Sequence, residues 1–114
     1  MKGIHLRLYT YENRKVHGIP VHEWLLARAR HLGIAGGSAF KAIAGFGRHG
    51  QLHEQRFYEL AGELPVLIEF IVSESQADSL LRLLADERLN LFYARIPGEL
   101  GQVGTNDGDP AQSG

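Results

Sequence analysis

The sequence predicts an α+β domain in which two amphipathic helices cover one face of a four-stranded antiparallel sheet. Three observations carry this. Ile4, Leu6 and Leu8 alternate with His5, Arg7 and Tyr9, a period of two that sets aliphatic groups on one face of a strand. The run Val66-Leu67-Ile68-Glu69-Phe70-Ile71-Val72 is apolar almost without a break, the pattern of a central strand covered on both sides. Two further stretches, Val21, Leu25, Ala29, Leu32 and Ala77, Leu80, Leu81, Leu84, carry apolar stripes at helical spacing.

Taken in order, the first strand is predicted from Gly3 to Tyr11. The polar segment Glu12-Asn13-Arg14-Lys15-Val16-His17-Gly18 reads as a loop, and Pro20 has the fixed φ preferred at the first position of a helix. That helix runs to about Leu32, with Trp24 at the edge of its stripe. Glu23 near its start and Arg28, Arg30 and His31 near its end complement the macrodipole, and Gly33 supplies a left-handed C-cap. After Gly36-Gly37 a second strand carries Phe40, Ala42, Ala44 and Phe46 on one face and Lys41 and Ile43 on the other. Ser73 and Gln76 form a capping box for a second helix ending near Glu87, and Leu91 to Ile96 form the last strand before Pro97-Gly98.

The order β-α-β-β-α-β is the ferredoxin-like arrangement. Right-handed crossovers place both helices on one side, with the first and third strands central. The other side is left apolar, and in a small protein such a surface predicts association with further copies. The domain spans 1–97, and 98–114 form a flexible tail whose Gly, Asp, Gln and Ser have almost nothing to bury.

Composition narrows the function. The chain has 114 residues, 44% hydrophobic and 22% charged, which fits one globular domain. Its formal net charge of −1 argues against nucleic acid as a partner. It contains no cysteine, so thiolate catalysis, thiolate metal ligation and disulfides are excluded. Met1-Lys2-Gly3-Ile4-His5 lead straight into the alternating pattern, and no run approaches the ~20 apolar residues of a membrane span, so a cytoplasmic protein is expected.

Chemistry concentrates in Ile43-Ala44-Gly45-Phe46-Gly47-Arg48-His49-Gly50, where a strand enters a long polar loop. Glycines allow main-chain N–H groups to face an anion, with Arg48 beside them, and that suits a phosphate. Among six histidines, His49 and His53 are four apart with Glu54 adjacent, and His17 and His22 flank the start of the first helix. Gathered in an oligomer they offer the alternative reading, a zinc or copper site. His5 reads as a sheet-face residue. No nucleophile elbow, paired-carboxylate motif or Walker loop is present, so an enzyme is not predicted.

Gly33-Ile34-Ala35-Gly36, the strand running into Gly45-Phe46-Gly47-Arg48, and Leu64-Pro65 leading to Ile68-Glu69 resemble the PII signal-transduction proteins. The resemblance is closer to the PII-like branch known as domain of unknown function one-ninety, and spans Met1 to Ile96. It implies a homotrimer with inward-facing sheets and three inter-subunit clefts, each taking an adenine nucleotide (ATP, ADP or AMP) as effector. It also implies a loop that reaches a partner such as a membrane transporter. Carried over, Gly45, Gly47 and Arg48 meet the phosphates with Phe46 beneath, Ser38 matches a hydroxyl that contacts the base, and Glu69 matches a cleft glutamate. The partner-binding loop then includes His49, His53, Arg56 and Tyr58, the last resembling a modified tyrosine. The chain departs from PII proteins at His49, where they have a glutamine that helps hold Mg²⁺ and 2-oxoglutarate. Their lysines near Val66 and Leu67 are absent, and Asp86-Glu87-Arg88-Leu89-Asn90 replaces their glycine- and lysine-rich phosphate loop. A ligand-independent interaction trimer is the remaining reading.

Overall fold

In the computed structural model of the chain, residues 1–46 and 64–104 are described. The elements are β1 (Lys2–Tyr11), β2 (Lys15–Val16), β3 (Ile19–Pro20), α1 (Val21–His31), β4 (Gly37–Lys41), β5 (Pro65–Val72), α2 (Glu74–Asp86) and β6 (Phe92–Glu99). The main sheet has the order β4-β5-β1-β6 with every neighbouring pair antiparallel, so β1 and β5 are central as predicted.

Both helices draw their buried residues from one stripe each. Val21, Trp24, Leu25 and Ala29 of α1 and Ala77, Leu80 and Leu84 of α2 are buried together with Ile4, Leu6 and Leu8 of β1 and Val66, Ile68, Phe70 and Val72 of β5. The start of α2 is fixed by its capping box: Ser73 Oγ accepts from Gln76 N at 3.2 Å, and Gln76 Oε1 accepts from Ser73 N at 3.0 Å. Two orphan N–H groups are thereby satisfied.

Several boundaries differ from the prediction. The segment after β1 is not all loop, because β2 and β3 form a small hairpin turned at His17 (φ 53) and Gly18 (φ 81). Two consecutive positive φ values are what the primed hairpin turn requires, and Pro20 ends this hairpin as the residue before α1. Leu32 is exposed instead of completing the α1 stripe. The helix closes at His31, Gly33 turns left-handed (φ 83), and Ile34 N donates to Ala29 O at 3.1 Å, which brings Ile34 into the core instead.

The second predicted strand stops early. β4 ends at Lys41, Ala42 N makes one more bond to Pro65 O at 2.8 Å, and Ile43 and Phe46 stand exposed. β6 runs further than predicted, through Pro97 to Glu99; Pro97 is tolerated because β6 is an edge strand with ladder bonds on one side only. Within one chain β5 is covered on one face: Val66, Ile68, Phe70 and Val72 are buried, while Leu67, Glu69 and Ile71 face away from the helices.

Candidate functional site

The strand registers sort the open sheet face into rows. Phe40, Leu67, Tyr9 and Phe92 lie across one row; Ser38, Glu69, Arg7 and Ala94 across the next; Ile71, His5 and Ile96 across the third. The outer rows are apolar apart from His5. Phe40 is 52% exposed, Ile71 51%, Phe92 52% and Ile96 44%, which is heavy exposure for large hydrophobic groups on one surface. Tyr9 and Phe92 rings pack with centroids 5.7 Å apart.

The middle row is polar. His5 Nε2 lies 3.0 Å from Glu69 Oε1, and since an ionised carboxylate only accepts, the imidazole donates from Nε2. Arg7 stands directly across from Glu69 in the ladder. Its guanidinium turns the other way, to 5.8 Å from the centre of the Tyr9 ring, and its Nε is shielded from solvent without a hydrogen-bond partner.

Of the residues singled out in the sequence, Ser38 and Glu69 are register partners and share the open face. Gly45 and Phe46 belong to a different place: a side chain at Gly45 would meet the Pro65 ring at 3.5 Å, so this corner sits at the far end of β5. Four residues of strand separate Pro65 from Glu69, about 13 Å. Gly47, Arg48, His49, His53, Arg56 and Tyr58 lie outside the described residues. Arg7 joins the site without having been singled out in the sequence, and His5, read there as a sheet-face residue, lies on that face as the partner of Glu69. Their signal was present, since a central strand with a polar group at alternate positions has a face that is not simply core.

The other histidines do not assemble a metal centre within the described residues. His17 Nε2 donates to Glu87 Oε1 at 2.8 Å, and no group of three or more His, Cys, Asp or Glu side chains is placed to hold an ion there.

Glu12 ties the chain ends that flank 47–63. Its N–H donates to Leu64 O (3.1 Å), its Oε1 accepts from Leu64 N (3.2 Å), and its Oε2 accepts from Lys41 Nζ (3.2 Å). The Leu64 N–H, helped by Lys41 and against partial desolvation, holds the Glu12 carboxyl below the ordinary value of 4.5. A lowered native pKa means that the clamp contributes fully above the ordinary Glu value and is lost as pH falls through the lower one. A pH titration of the Glu12 carboxyl by NMR should therefore give a midpoint below 4.5, and Lys41→Met should move it upward; a midpoint at or above that value would show that the clamp does not form.

Comparison with known proteins agrees with this architecture. A family model described as DUF190 (Uncharacterized ACR, COG1993) matches residues 3–88. The UPF0166 protein of Aquifex aeolicus (strain VF5) is 35% identical over 71 residues, 62% of this chain and 68% of the relative. Among solved structures, a protein of Thermus thermophilus described as PII-like signaling superposes with a TM-score of 0.58 at 17% identity, covering 86% of this chain and 88% of that one. CPII, a nitrogen regulatory PII-like protein of Thiomonas intermedia K12 solved with ADP, AMP and bicarbonate, gives 0.58 at 18% identity, covering 90% and 96%. At such identities the two structures establish a shared fold. The family match spans most of the chain, and this protein, PII-like in fold, belongs to the DUF190 family.

Proposed function

We propose that this chain is a PII-like regulatory protein that binds an adenine nucleotide, ATP, ADP or AMP, in clefts between the subunits of a homotrimer, and acts by contact and not by catalysis. The observation that carries the reading is the placement of Ser38 beside Glu69 on an open sheet face whose other rows are apolar. A hydroxyl and a carboxylate suit the donor groups of a nucleotide base, and the apolar rows suit burial against further copies. The ADP and AMP held by the Thiomonas protein support the same ligand class. Gly45 and Phe46, with Gly47 and Arg48 following in sequence, supply the phosphate end. His49, His53, Arg56 and Tyr58 then belong to the segment offered to a partner such as a membrane transporter. No helix among the described residues is long and apolar enough to cross a membrane, which is compatible with a cytoplasmic regulator.

Calorimetric titration with ATP, ADP, AMP, cyclic nucleotides, bicarbonate and Zn²⁺ tests the reading, with light scattering to count subunits. Binding of an adenine nucleotide by a trimer is the expected result; binding of Zn²⁺ alone would favour the histidine site. Arg48→Ala should weaken nucleotide binding by about 1.5–3 kcal/mol, the range for a hydrogen bond to a charged group, and leave the trimer intact. Glu69→Gln should change affinity in the same titration. Unchanged affinity in both variants would move the site elsewhere.

A further inference from the structure

His5 and Glu69 stand in neighbouring rows of the open face, and their side chains meet. Nε2 of the imidazole donates to Oε1 of the carboxylate at 3.0 Å, with both groups partly buried. The imidazole has nothing else to bond in its own row, where its strand partners are Ile71 and Ile96. Glu69 in turn has no second hydrogen-bond partner among the described residues. Arg7, directly across the ladder, holds its guanidinium against the Tyr9 ring instead. The carboxylate therefore has one oxygen spent and one open. Ser38, its partner on the β4 side, adds a hydroxyl from a backbone about 5 Å away.

We propose that His5 is a positioning residue that makes this site select adenine over guanine, by occupying one oxygen of Glu69. The inference rests on the nucleotide reading above and adds what sets its base specificity. An ionised carboxylate only accepts hydrogen bonds. Guanine offers two parallel donors on one edge, N1–H and the 2-amino group, and a carboxylate with both oxygens open takes both at once, as it takes an arginine fork. Adenine offers one donor group on the same edge, the 6-amino group, beside the acceptor N1. A single open oxygen suits that amino group, and the Ser38 hydroxyl, which can donate, suits N1. Guanine could engage both oxygens only by breaking the His5 bond, and a hydrogen bond to a charged group is worth roughly a ten- to hundredfold factor. Left with one oxygen, guanine would carry its second donor into a partly buried row unpaired. The selection does not depend on the charge of His5, because imidazole protonated at Nε2 and imidazolium both donate there.

Titration calorimetry of ADP, GDP and IDP against the wild-type chain, His5→Phe and His5→Gln tests this. The wild type should prefer ADP. His5→Phe keeps a planar ring and removes the donor, so GDP should tighten and the preference for ADP over GDP should narrow at least about tenfold. IDP keeps N1–H but lacks the 2-amino group, so it should gain less than GDP, a difference that a merely loosened pocket would not produce. His5→Gln carries a donor nitrogen at a similar reach from the backbone and should return the preference towards that of wild type. The preference is a ratio of affinities measured on one preparation, so incomplete folding or assembly of a variant does not imitate it. Should His5→Phe yield no folded protein by circular dichroism, His5→Leu replaces it with the same expectation. With ADP still bound, an unchanged preference in the variant lacking the donor, equal gains for GDP and IDP, a His5→Gln that behaves like that variant, or a wild type indifferent to the base would each overturn the role of His5 and leave the nucleotide reading standing. A wild-type chain that binds none of the three nucleotides removes that reading, and this inference with it.

Discussion

Phe70→Ala is expected to cost about 3–5 kcal/mol in urea unfolding followed by Trp24 fluorescence, the largest loss of any single truncation in this fold. Phe70 lies on a central strand, is 1% exposed, and belongs to the layer where β5 meets α1. Its ring fills space that the edge strand leaves open. A Cβ built on Gly37, the register partner of Phe70, would overlap ring atom Cε1, lie 2.6 Å from Cδ1 and lie 3.1 Å from Leu26 Cδ2. The glycine is thus required by close approach of the ring to the backbone. Two consequences follow from one contact. Gly37→Ala alone should cost about 1–3 kcal/mol through overpacking, and Gly37→Ala with Phe70→Leu should cost less than the sum, since the smaller side chain vacates the contested volume. A Phe70→Ala loss below about 1.5 kcal/mol, or strict additivity in the double variant, would show that the edge strand yields and that the packing is looser than the geometry indicates.

The sequence made the sheet order legible because its strongest patterns fall on the two central strands. Ile4, Leu6 and Leu8 alternate, and Val66 to Val72 is densely apolar, so the choice of β1 and β5 as central needed little beyond handedness. The Ser73–Gln76 box and Gly33 also act locally, through hydrogen bonds and φ within a few residues, and local rules read well from a chain. What failed depended on a second strand. The end of β4 is set by where β5 stops offering partners, after Ala42 and Pro65, and not by the apolar residues Ala44 and Phe46. The β2–β3 hairpin is too short to show a period, and its turn rests on His17 in a left-handed conformation that few sequences announce.

The candidate site divides along the same line. Ser38 and Glu69 entered through resemblance, and the register of β4 against β5 makes them neighbours. Arg7 escaped, and His5 read only as a sheet-face residue, because their significance lies in pairings between strands: the alternation of β1 places them on the open face, but only the ladder sets Arg7 opposite Glu69, and only rotamers turn Glu69 to His5. The solvent-facing row of a central strand is where sequence patterning is least constrained by the core. A polar row bordered by Phe40, Phe92, Ile71 and Ile96 is therefore a property of the folded sheet, visible once the strands are aligned.

Trp24→Ala should cost about 2–4 kcal/mol, less than Phe70→Ala although the indole is larger. Trp24 is 8% exposed, on the flank of α1 that faces the β2–β3 hairpin, and its ring centroid is 6.1 Å from that of His17 at the turn. The hairpin is not a rigid wall. Arg14 Nη1 donates to Asn90 O at 2.8 Å, Val21 N to Arg14 O at 2.9 Å, and His17 to Glu87 at 2.8 Å, so a few polar contacts hold it against the body of the domain. When the indole is removed the hairpin can settle part of the way into the space, and the cavity term shrinks accordingly. His17→Ala removes an exposed pair and should cost under about 1 kcal/mol by itself. The two losses are expected to be coupled, because the imidazole packs near the ring that Trp24→Ala deletes. Urea unfolding of both single variants and the double variant, followed by far-ultraviolet circular dichroism, closes the cycle. A coupling energy indistinguishable from zero would mean that the hairpin rests on Arg14 and Glu87 alone, and that Trp24 belongs to the helix–sheet core without reaching the hairpin.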